Sequence, residues 1–128
     1  MIESIRRPGV PIIYYARDAA HVLDLLPQTG ADVLSLDEKL PLSLAAERIG
    51  PGPALQGNLD NAILGASRAT IEEGAARVLG EAPPGRGHVF NLGHGILPHT
   101  PVENAVHLVE TVKRLGRKDP GAAKGETA

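Results

Sequence analysis

Four short apolar runs, each closed by polar residues and followed by a helical pattern, limit the folds open to this chain. They are Val10-Pro11-Ile12-Ile13-Tyr14-Tyr15, Asp32-Val33-Leu34-Ser35-Leu36, the weaker Ala54-Leu55-Gln56-Gly57, and His88-Val89-Phe90-Asn91-Leu92. The first is β-branched and aromatic without alternation, which suits a parallel strand buried on both faces. Helical patterns follow at residues 19–26, 42–49, 71–79 and 102–115, with a shorter piece at 61–66. Strands alternating with helices imply right-handed crossovers and one parallel sheet. A closed barrel of this class takes eight strands. The pattern therefore leaves a small open α/β sheet or half of a (β/α)8 barrel.

Local punctuation agrees with this division. Pro8-Gly9 closes a helical stretch at residues 2–7, and Asp18 is placed to cap the helix at 19–26, which Pro27-Gln28-Thr29-Gly30 breaks. Val22, Leu23, Leu25 and Leu26 form that helix's apolar stripe. Pro41 opens the next helix, and Gly50-Pro51-Gly52-Pro53 ends it. Thr70 suits an N-cap, with Glu72 and Glu73 in the first turn where the helix dipole favours them. Thr100, Pro101 and Glu103 come close to a capping box for the last helix, with a buried stripe of Val102, Ala105, Val106, Val109 and Val112. Residues 118–128 lack any large apolar side chain and read as a disordered tail, leaving one domain over 1–117.

Composition removes several function classes. A net charge of -2 and a pI near 6.2 argue against non-specific nucleic-acid binding. With no cysteine, disulfides and thiolate metal sites are impossible, and a reducing compartment fits. No apolar run approaches the ~20 residues of a membrane span, and none near the start resembles a signal peptide. A cytoplasmic protein with no membrane partner is expected.

Polar residues close each strand: Arg17, then Asp37 and Lys39, then Asn58 and Asp60, then Asn91 and His94. In a parallel α/β protein these ends share the face that carries function. Asp18 and Asp60 read first as helix caps. His94 stands apart because Gly93 and Gly95 flank it, which lets backbone approach a bound molecule closely. Arg17 offers a planar cation for a carboxylate, with an ion pair to Asp18 as the competing reading. His21, His88 and His107 carry little, and His94 with His99 lacks the carboxylate a metal site would need. The glycine-rich turns at 50–53 and 83–87 precede strands, the reverse of a nucleotide-binding order.

Two stretches also carry a resemblance. Asn-Leu-Gly-His-Gly-Ile-Leu-Pro-His-Thr-Pro at 91–101 and Leu-Gln-Gly-Asn-Leu-Asp at 55–60 resemble the C-terminal part of uroporphyrinogen decarboxylase, over about residues 10–115. The resemblance decides for the C-terminal half of a (β/α)8 TIM barrel, strands five to eight. It implies a carboxy-lyase of haem biosynthesis that turns the acetate side chains of uroporphyrinogen III into the methyls of coproporphyrinogen III, with no cofactor or metal. It assigns substrate contact to His94, with Gly93, Gly95 and Asn91 lining the same cleft for the anionic tetrapyrrole, and no catalytic residue to this chain; Arg17 is the cation that the chain's own strand ends offer to one of the carboxylates. The family's arginine-rich loop, pyrrole-binding aspartate, and cleft tyrosine and serine belong to strands one to four. A chain of this extent alone is then inactive, and pairs as a homodimer or with an N-terminal half.

Asn61 stands where the family usually has proline. A zinc-dependent corrinoid methyltransferase, a relative of the same superfamily, would need cysteine ligands. The alternative from another class is a non-catalytic half-barrel module acting only by pairing with another chain.

Overall fold

Four parallel strands form one sheet in chain order: β1 (Ile13–Tyr15), β2 (Val33–Ser35), β3 (Ala54–Leu59) and β4 (His88–Leu92). The structure, a computed structural model, describes residues 2–117, so the expected tail lies outside the described residues. The helices are α1 (Ile2–Ile5), α2 (Leu42–Ile49), α3 (Arg68–Glu81) and α4 (Val102–Gly116), with 3-10 segments at Ala19–Thr29 and Asn61–Gly65. Each strand pairs with the next, so successive right-handed crossovers put the helices on one face. A doubly wound sheet would reverse direction at a switch point, and none occurs here. The four units form half of a (β/α)8 barrel.

The core lies between that helical layer and one face of the sheet. Leu34, Leu36, Leu55 and Leu59 of the sheet region are buried with Leu23, Leu42, Ala45, Leu64, Ile71, Ala75 and Val78. The opposite face is open: Ile13, Tyr15 and Val89 are 50%, 45% and 44% exposed. The expectation that the first strand is buried on both faces is therefore corrected. A half barrel covers only its convex side, so inward-pointing residues of β1 and β4 stay partly exposed.

Several local expectations also change. Residues 19–29 form a 3-10 segment with a break at Val22 instead of an α-helix, and Pro27 has no N–H for an α-helical bond. Asp18 does not cap it: its backbone is left-handed and its carboxylate pairs with Lys39. Asp60 does cap, accepting the Ala62 amide at 2.9 Å. The cap of α3 is Ser67, whose hydroxyl accepts the Thr70 amide at 3.2 Å, so the helix starts earlier than expected. Helix α4 begins at Val102 with no side-chain cap; the Pro101 carbonyl accepts the Asn104 amide at 3.1 Å. Its buried stripe is rotated, with Leu108 and Thr111 inside and Val102, Val106 and Val109 at 75%, 50% and 51% exposure. Strand β3 runs two residues past Gly57.

Asp32 ties the start of the sheet together. Its carboxylate accepts the Ile12 amide at 2.7 Å and pairs with Arg6 at 3.3 Å. The Ile12 hydrogen bond, aided by Arg6, holds the carboxyl below its ordinary 3.8. Because the folded value is the lower one, this contribution is complete above the unfolded value and is lost as pH falls through the folded value. The Ile12 amide resonance is therefore expected to titrate below pH 3.8 and to be flat above about 5. A midpoint at or above 3.8 would contradict the assignment.

Candidate functional site

The loops at the C-terminal ends of the strands are locked by side chains that the sequence offers as ligands. Asp37 is buried; its carboxylate accepts the Asp18 amide at 2.6 Å and the Lys39 amide at 3.1 Å. Asn58, also buried, donates to the carbonyls of Asp37 and Leu40 at 2.7 and 2.6 Å. These two residues share the expected face, but the Asp37 carboxylate and the Asn58 side-chain nitrogen hold backbone. Lys39 is engaged by Asp18.

The glycine–histidine loop lies across the top of the sheet. The Gly93 amide donates to the Leu59 carbonyl at 2.8 Å, and the Gly93 carbonyl accepts the Tyr15 hydroxyl at 2.9 Å. One residue thus joins β4, β3 and β1. The Asn61 side chain donates to the Gly95 carbonyl at 2.6 Å, a hold that proline at that position could not give. A Cβ on Gly93 would sit 2.4 Å from the Glu38 amide nitrogen. Close approach therefore requires glycine here. The Oε2 atom of Glu38 is buried beside this loop without a hydrogen-bond partner among the described residues.

Beneath the loop is a groove of about 500 Å³ lined by Tyr15, Ser35, Gln56, Asn91, Gly93 and His94, among others. Gln56 donates to the Ser35 hydroxyl at 2.8 Å, so the floor is polar and internally bonded. Burial, followed by the nearby Asp37 carboxylate, raises the Tyr15 phenol above its ordinary value. The phenol stays protonated and keeps its donor bond to Gly93.

Of the expected ligand residues, Asn91, Gly93, His94 and Gly95 are brought together at the groove. Arg17 is not among its lining residues; it is exposed and makes no ion pair or hydrogen bond among the described residues. Its expected competitor pair with Asp18 does not form, because Asp18 turns to Lys39. Sequence reasoning missed Tyr15, Ser35 and Gln56. They occupy one register layer across β1, β2 and β3, which becomes visible only once strand pairing is known. A larger hollow of about 870 Å³ lies at residues 50–54 and 80–87, before β3 and β4, the end of such a sheet that serves stability.

The model of the uroporphyrinogen decarboxylase (URO-D) family matches residues 1–115. The chain belongs to that family. Among its relatives, the uroporphyrinogen decarboxylase of Geobacter metallireducens is 43% identical over 118 residues, covering 92% of this chain and 35% of that protein. That of Streptomyces coelicolor is 46% identical over 112 residues, covering 88% of this chain and 32% of that protein. The chain thus spans about a third of the length of the curated relatives it matches. A solved methyltransferase from Methanosarcina mazei superposes with a TM-score of 0.72 at 25% identity, over 85% of this chain and 32% of that one. That likeness is one of fold, and the cysteines a zinc-thiolate methyltransferase uses are missing here.

Gly93→Ala is expected to displace the loop, because the Glu38 amide that the new methyl meets belongs to backbone. A loss of about 1–3 kcal/mol in stability should follow. The amide at position 93 should lose its protection from hydrogen exchange, since its bond to Leu59 depends on the close approach. Unchanged protection would show that the loop is not seated this way.

Proposed function

We propose that this chain supplies the C-terminal, substrate-holding half of a uroporphyrinogen decarboxylase barrel. The observation that carries the reading is the Gly93-His94-Gly95 loop, pinned by Tyr15, Leu59 and Asn61 with its exposed histidine at a groove that also holds Ser35 and Gln56. In this reading His94, Gly93, Gly95 and Asn91 hold the porphyrinogen, and Arg17, free of protein partners among the described residues, meets one of its carboxylates. Protonating an electron-rich pyrrole turns it into an electron sink. The acetate carboxylate leaves as CO2, its bonding pair passes into the ring, and the side-chain carbon is reprotonated to a methyl. Fixed dipoles and cations around that charge lower the barrier.

No acid for the first step is placed in this chain, and no cofactor or metal enters. The reading puts the chain in the cytoplasm, where an absence of cysteine fits a reducing medium. No described helix is long and apolar enough to cross a membrane. Activity requires association, as a homodimer or with an N-terminal half.

The test is porphyrinogen turnover by the purified chain, alone and with the rest of the family fold supplied in trans. No coproporphyrinogen is expected from the chain alone, and turnover with the complement. His94→Ala should then weaken substrate binding, seen as a raised KM, without abolishing assembly. Turnover by the isolated chain, or wild-type binding by His94→Ala, would refute the assignment. The competing reading is a module that pairs without catalysis, for which the assembled pair is inactive.

A further inference from the structure

The His94 side chain has no tether of its own. It is exposed, and its ring makes no hydrogen bond or ion pair among the described residues. Glycine on each side leaves its backbone free, and that freedom is an entropic cost to a ligand that needs the ring in one place. The place of the ring is therefore set by whatever fixes the flanking peptides.

The peptide entering Gly93 is anchored by backbone, its amide donating to the Leu59 carbonyl at 2.8 Å. The peptide leaving Gly93 contains the His94 nitrogen. Because that unit is planar, holding its carbonyl oxygen fixes the His94 nitrogen and Cα with it. The oxygen accepts the Tyr15 hydroxyl at 2.9 Å in a partly buried contact. Beyond His94, Asn61 holds the Gly95 carbonyl, but that contact is exposed, where water competes for both partners.

The tether comes from far across the sheet. β2 and β3 lie between β1 and β4, so the phenol crosses the concave face to reach the loop. Ser35 and Gln56, in the same register layer, bond each other instead. Tyr14, one residue earlier, packs against the core on the other face.

We propose that Tyr15 is a positioning residue of this site: through the Gly93 carbonyl it holds His94 where the ring meets the porphyrinogen. The hydroxyl acts on the loop and not on the substrate. The ligand in this inference rests on the function proposed above; the hold on the loop does not.

The first measurement uses the 128-residue chain alone. Tyr15→Phe keeps the ring and removes only the hydroxyl. In NMR spectra it should move the Gly93 carbonyl and His94 amide resonances and leave those of the buried Leu34 and Ile71 in place. The second uses the chain assembled with the rest of the family fold. There Tyr15→Phe should raise KM roughly two- to tenfold, the worth of one neutral hydrogen bond, at unchanged kcat. In a His94→Ala background the same change should have no further effect, because a residue that acts through His94 has nothing left to act on. Tyr14→Phe should leave KM as it is.

Unmoved Gly93 and His94 resonances, or an unchanged KM, would overturn the proposal. So would a KM increase that persists in the His94→Ala background, which would mean that the phenol touches substrate itself, or an equal increase with Tyr14→Phe. Resonances that move as described, in a chain whose assembled parent turns over no porphyrinogen, would support the tether on His94 and refute the proposed function.

Discussion

Gly57→Ala is expected to lower stability by about 2–5 kcal/mol, combining backbone strain with a methyl placed in occupied space. Gly57 has φ +136°, a conformation L side chains rarely adopt, and its Cβ would stand 2.8 Å from the Leu36 carbonyl oxygen. Neither neighbour can turn aside. Leu36 donates its amide to the Gln56 carbonyl at 2.9 Å, so moving it breaks the β2–β3 pairing. Asn58, the next residue, would lose its hold on Asp37 and Leu40, and the loop after β2 would loosen. Denaturant unfolding checks the size. A change below about 0.5 kcal/mol, the range of an ordinary surface substitution, would show that β3 does not pass so close to Leu36.

Leu34→Ala should cost about 2–5 kcal/mol, a large share of the ~5–15 that folds a domain. Leu34 is fully buried at the middle of β2, paired across the sheet with Tyr14 and Leu55. β2 is short, so the strand is held by its packed face more than by its own ladder. The matching control is Val89→Ala on the open face of β4, 44% exposed, for which under about 1 kcal/mol is expected. Equal costs at the two sites would mean that the inner face is covered in solution, and the half-barrel description of the isolated chain would fall.

Much of this was legible in the residues. The four apolar runs, their order and the helices between them follow from periodicity and from proline and glycine punctuation, which act within a few residues. The glycine–histidine loop was legible too, because a histidine between two glycines after a strand is rare chemistry in a plain position. Caps were less secure. Ser67 took the role expected of Thr70, and Asp18 gave its carboxylate to Lys39, because a cap competes with every other partner within reach.

What the sequence by itself determined is a parallel βα repeat with polar strand ends and a histidine loop at one of them. Tertiary structure alone decided which of those polar ends remain available. Asp37 and Asn58 look like ligands in the chain but are used to fasten loops from neighbouring strands. Tyr15, Ser35 and Gln56 look like strand filler but line the groove. The same holds for α4, where Val102, Val106 and Val109, which fit a buried stripe, face outward while Val112 packs against the core. A hydrophobic pattern says that a face wants cover; which neighbour supplies it depends on contacts between segments far apart in sequence, and these exist only after the sheet has assembled.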